Sequence, residues 1–135
     1  MVENQLGDND TIYGTFNLAE VMSEFPPDPG SAARHRAEIL VKTDTLRVVL
    51  VTMLSGGFMH EHAAPGPITI QVLKGVMNLT VEGESRTLSA GELISLAPGI
   101  MHGVEGVEDG AFLLTIAHLS RIPDPGGDED VPQGL

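Results

Sequence analysis

The chain has 135 residues, 41% of them hydrophobic and 19% charged, which is one domain's worth of sequence with material for a single core. Nineteen acids against seven bases give a formal charge of −12, and aromatic residues make up only 4% with no Trp. That balance argues against nucleic acid, which needs cations for its phosphates and rings for its bases. Zero cysteines excludes disulfides, thiolate metal sites and thiol nucleophiles. No apolar run is long enough for a membrane span, and the start MVENQLGDND has neither the basic end nor the apolar stretch of a signal peptide. The expectation is a soluble, cytoplasmic domain without membrane or nucleic-acid partners.

The acidity is concentrated at the two ends. Residues 1–30 hold six acids and no Lys or Arg, residues 122–135 hold four acids and no base, and residues 31–121 hold nine acids and all seven bases. This divides the chain into an acidic N-terminal arm (1–30), a central domain (31–121) and a flexible acidic tail (122–135) rich in Pro, Gly and Asp. Within the arm, Asn17 followed by Leu18-Ala19-Glu20 has the pattern of a capped helix start, and Phe25-Pro26-Pro27 stops it, so a short helix is expected over 18–25.

From Glu38 onward, short apolar runs alternate with Gly, Pro or Asp turns. The expected strands are Glu38–Thr43, Thr45–Leu54, Phe58–His62, Ile68–Leu73, Val76–Val81, Arg86–Leu88, Leu93–Leu96, Met101–Val104 and Ala111–His118. They are rich in Val, Ile, Leu and Thr and recur at the spacing of an all-β sandwich or barrel. Leu46-Arg47-Val48-Val49-Leu50-Val51 is apolar on both faces, which suggests a strand covered on both sides, as by a second subunit.

Five histidines occur: His35, His60, His62, His102 and His118. In a regular strand His60 and His62 point to the same side with Cα atoms about 6.5–7 Å apart, a separation that suits two nitrogens converging on one metal ion. Glu61 then points the other way. Forty residues on, Pro98-Gly99 makes a tight turn and His102 starts the returning strand, offering a third imidazole. His35, between Arg34 and Arg36, reads as a member of a basic surface cluster. Met53, Met59, Met77 and Met101 read as flexible core filler.

The motif His60-x-His62 with the later Gly75, and the run Gly91 to His102 with Gly99 between them, resemble the two motifs of the cupin superfamily, small β-barrels of the jelly-roll type. The proline of the second motif stands one place late, as Pro98, and no Asn follows His102. The glutamate of the first motif is missing, since Gly66, Pro67 or Ile68 occupies its place. The resemblance implies an all-β jelly-roll barrel with a short N-terminal helix or arm, homodimerisation, and a metal held by His60, His62 and His102. Three neutral ligands suit Fe, Zn, Ni or Cu, leave the ion its full charge, and favour an anionic small-molecule substrate. Phe58, Gln71 and His118 are candidates to line the pocket or support the ligands from behind, Gln71 only if a bulge corrects its strand parity. No catalytic acid or base is identifiable. The implied function is a metal-binding small-molecule enzyme of the non-haem dioxygenase type, with a non-catalytic binding or sensing cupin as the alternative.

Overall fold

The computed structural model describes residues 11–117. Helix α1 spans Leu18–Glu24, and the Asn17 side chain caps it by accepting from the Glu20 amide at 3.1 Å. Nine strands follow: β1 (His35–Lys42), β2 (Leu46–Met53), β3 (Phe58–His62), β4 (Ile68–Lys74), β5 (Val76–Val81), β6 (Glu84–Ser89), β7 (Leu93–Leu96), β8 (His102–Gly106) and β9 (Gly110–Ala117). Each corresponds to one expected run, with ends displaced by up to three residues. Among the described residues no helix is long and apolar enough to cross a membrane.

The strands form two antiparallel sheets, one ordered β1-β2-β9-β4-β7 and the other β3-β8-β5-β6. Neighbours far apart in sequence, such as β2 beside β9 and β3 beside β8, give the crossed connections of a jelly roll. The sheets face each other over a core that includes Val49, Val51 and Met53 from β2, Ile70 and Val72 from β4, Met77 and Leu79 from β5, and Phe112 and Leu114 from β9. These positions alternate along each strand because a pleated strand sends successive side chains to opposite faces.

The outer face of the five-stranded sheet is apolar too. Leu40, Val41, Leu50 and Ala111 form a second buried cluster with Val21 of α1, and Phe16, Leu18, Met22 and Phe25 pack around it. The N-terminal helix of the same chain covers part of this face. Segment 16–25 is accordingly part of the folded body, joined to it further by a Thr52 hydroxyl donating to the Phe25 carbonyl at 2.9 Å.

The two sheets are closed at one end by a short loop and a close backbone approach. Gly75, between β4 and β5, has φ +78°, and a Cβ there would collide with the Asp109 carbonyl. Only glycine satisfies both the left-handed backbone and the absence of room.

Candidate functional site at one end of the barrel

The loops 63–67 and 97–101 cross the same end of the barrel, joined by the Gly99 amide donating to the Ala64 carbonyl at 2.9 Å. His62 ends β3 immediately before the first loop, and His102 begins β8 immediately after the second. They are direct partners in the β3–β8 ladder. Their ring centroids lie 4.6 Å apart with planes tilted by 55°. His102 pairs on its other side with Val81, in register with Leu79 against Val104, so this face is the interior one.

Both rings are anchored in the same way. Nδ1 of His62 lies 2.8 Å from the His60 carbonyl, and Nδ1 of His102 lies 2.9 Å from the Ile100 carbonyl. A carbonyl only accepts, so each Nδ1 must carry the proton, and Nε2 of a neutral ring is left as an acceptor lone pair. His102 is 2% exposed. Burial holds its pKa below the ordinary 6.5, the Ile100 carbonyl opposes that shift, and the neighbouring His62 charge adds to it.

His60 does not join the pair. The β3–β8 register shifts between Met59, opposite Val104, and His62, opposite His102. Two residues, His60 and Glu61, therefore stand opposite Gly103 alone, which is a β-bulge. Met59 and His62 both face inward across it, and His60 is exposed, its ring edge-on to Phe58 with centroids 4.9 Å apart. Phe58 pairs with the exposed Glu105 and lies with His60 on the outside, so His60 and His62 do not share one face as expected, and Phe58 does not line the interior beside His62. The Glu61 side chain lies beside Gly103. Among the described residues no group of three or more His, Cys, Asp or Glu is arranged to hold a metal ion. The two imidazoles are a partial donor set, and the described residues do not assemble the three-ligand centre.

Gln71 alternates with the buried Ile70 and Val72, pairs with Leu93 and Leu113, and stays off the interior face. No bulge brings it round. His118 lies outside the described residues. His35 is not part of a surface cluster: it is half-buried at the opposite end, its Nδ1 2.8 Å from the Phe58 carbonyl, linking β1 to β3. Burial lowers its pKa against the raising effect of the Phe58 and Ala33 backbone. Met53, Met59 and Met77 fill the core, whereas Met101 is 42% exposed on the 97–101 loop.

One residue that the sequence reading passes over is Arg47. It pairs with Ile116, which pairs in turn with Ile68, and both isoleucines belong to the interior core. Ile68 directly follows the 63–67 loop, so Arg47 faces inward at the same end as His62 and His102. Its Nε is buried and has no hydrogen-bond partner among the described residues. The signal was available: Arg47 is the single charged residue in an apolar strand and keeps parity with Val49 and Val51.

Residues 49–117 match the family of the Cupin domain. The pectin degradation protein KdgF of Dickeya dadantii (strain 3937) is 31% identical over 81 residues, covering 58% of this chain and 73% of that protein. Among solved structures, a conserved protein of unknown function from Streptococcus pyogenes superposes with a TM-score of 0.67 at 20% identity, covering 87% of this chain and all of its own (100%). KdgF from a Halomonas species superposes at 0.59 with 23% identity, covering 74% of this chain and 90% of that one. The matched residues span strands β3 to β9, most of β2 and the two anchored histidines, and on that ground the chain belongs to the cupin family.

Proposed function

We propose that the protein is a cupin that binds a small molecule at the barrel end where His62 and His102 meet. The observation that supports this is the shared anchoring of the two rings, which places the Nδ1 proton of each on a backbone carbonyl and fixes both imidazoles at the same barrel end. The surroundings suit recognition. Ile68 and Leu96 are buried in the core at this end and Val81 and Ile100 pack against it, so the two imidazoles stand in apolar surroundings, which is how small-ligand sites are generally composed. The likeness to a pectin degradation protein supports trying carbohydrate-derived molecules first.

A second reading, the metal-dependent dioxygenase, draws on the same anchoring, because metal-ligating histidines commonly give their other ring nitrogen to a carbonyl. His62 and His102 would then be the protein ligands and Fe, Zn, Ni or Cu the candidate ions.

Two variants separate the readings. His102→Ala and His60→Ala are purified without added metal, analysed for metal content, and titrated calorimetrically with carbohydrate-derived acids. Binding lost in His102→Ala and kept in His60→Ala, with no stoichiometric metal, is the expected result. Stoichiometric metal that disappears in His102→Ala, with oxygen uptake on adding substrate, would overturn it in favour of the oxygenase.

A further inference from the structure

At the barrel end away from the two histidines, an open cleft of about 170 Å³ lies at the seam between the N-terminal arm and the strands. The arm contributes Met22 of α1 and Pro27, close to where the Thr52 hydroxyl holds the Phe25 carbonyl. The barrel contributes the buried Met53 and Ala111. Met22 and Pro27 precede residues 49–117, which match the Cupin domain, so half of this seam is built from sequence outside the shared barrel. An apolar cavity of about 150 Å³ accommodates a benzene molecule. The cleft therefore has room for one aliphatic side chain.

Two exposed residues of opposite charge, Lys74 and Asp109, also line the cleft. Their backbones are held together on both sides. A Cβ on Gly75 would strike the Asp109 carbonyl, and one on Gly110 would strike the Lys74 carbonyl. Even so, the two side chains make no ion pair with each other; the ion pair present among the described residues is Arg86–Glu84. Asp109 instead accepts from the Ser55 amide at 2.8 Å through one carboxylate oxygen. Its second oxygen and the Lys74 ammonium have no partner among the described residues.

We propose that this cleft binds an aliphatic α-amino acid, with the side chain between Met22 and Met53, the carboxylate on Lys74 and the ammonium on Asp109. The chemistry of the lining selects that class. An uncharged apolar molecule answers neither charge, an apolar acid brings a second carboxylate beside Asp109, and an apolar amine brings a second cation beside Lys74. An α-amino acid carries both charges on one carbon, which suits two residues on touching backbones. Exposed ion pairs each contribute little, so the apolar contact is needed as well, and the dissociation constant is on the order of millimolar. The bound side chain touches arm and barrel at once, so occupancy tightens the docking of the arm.

The test is a titration of the full chain, labelled with nitrogen-15, with L-leucine. Isocaproate, isoamylamine and glycine serve as probes that lack the ammonium, the carboxylate and the side chain respectively. L-Leucine should shift the Met22, Lys74 and Ala111 amides together and saturate in the millimolar range, while the His102 ring resonances stay still. Each incomplete probe should bind about threefold more weakly or worse. Lys74→Gln and Asp109→Asn should each weaken L-leucine binding by about threefold or more. Both positions are exposed, and Asn keeps an acceptor for the Ser55 amide, so these variants retain the fold. Isocaproate or isoamylamine binding as well as L-leucine overturns the amino-acid class. L-Leucine binding undiminished in both variants overturns the roles of Lys74 and Asp109. No saturable shift with L-leucine overturns the proposal outright, and leaves the reading of the His62–His102 end untouched.

Discussion

His62 and His102 stand directly opposite each other in the β3–β8 ladder, 4.6 Å between ring centroids, yet only one of them is deeply buried. Burial disfavours protonation of His102, and the neighbouring His62 charge adds to the effect.

The consequence is a pH dependence of stability. His102 and His35 both have folded pKa values below 6.5, so as pH falls the unfolded chain takes up those protons first. The stability contributed by the neutral rings is fully present above about pH 6.5, declines as pH drops through the lowered folded values, and then levels off. The melting temperature should therefore fall between about pH 7.5 and pH 5. His35→Gln and His102→Gln should each flatten that slope, and NMR titration should place both ring midpoints under 6.5. A melting temperature that rises on acidification through this interval would contradict the geometry.

Helix α1 makes a second prediction, because it is the lid of the outer cluster. Val21 is buried against Leu40, Leu50 and Ala111. Val21→Asp places a charge there and should cost at least about 2 kcal/mol in urea denaturation, while Asn17→Ala, which removes only the cap, should cost about 1 kcal/mol. A helix that served merely as a solvated arm would give no loss in either variant.

Much of this was legible from the sequence. The strand runs carry clear two-residue alternation, and Asn17 with Glu20 marks the helix start by the chemistry of its side chain. The two-sided apolarity of Leu46–Val51 was also visible, but sequence does not say which surface covers a face, and here Val21 and its neighbours cover part of it. The site was half legible. His62 and His102 meet as their positions at strand ends suggest, whereas His60 does not, because alternation assumes an unbroken ladder and the bulge opposite Gly103 inserts one residue. A bulge depends on what the partner strand offers, forty residues away, and leaves no local mark in Phe58–His62. Arg47 was visible but unread, since a lone cation in an apolar strand is informative only once its face is known.

Two glycines with the same backbone should respond differently to alanine. Gly83 has φ +84° in the β5–β6 turn, and an added Cβ would meet nothing within 4 Å. Gly83→Ala then bears only the left-handed backbone penalty, about 1 kcal/mol. Gly75 has φ +78° and faces the Asp109 carbonyl and Gly110 as well. Gly75→Ala must also push apart the β4–β5 and β8–β9 connections, so its loss should exceed that of Gly83→Ala by about 2 kcal/mol or more, read from paired urea melts. Equal losses would mean that the two connections yield freely.

Phe112 and Val21 lie on opposite faces of the five-stranded sheet. Phe112 packs inside the barrel against Val51 and Val72 on the neighbouring strands, while Val21 packs outside with Leu40 and Leu50. Phe112→Ala should cost about 3–5 kcal/mol, because the closed barrel cannot collapse onto the lost ring, and Val21→Ala about 1–2 kcal/mol, because the short helix can settle. The clusters share no side chain, so the double variant should lose the sum of the two to within about 0.5 kcal/mol. An excess well beyond that sum would show that helix docking transmits strain through β9 into the interior. The helix would then influence the His62–His102 end as well, and Val21→Ala alone should shift the His102 ring resonances.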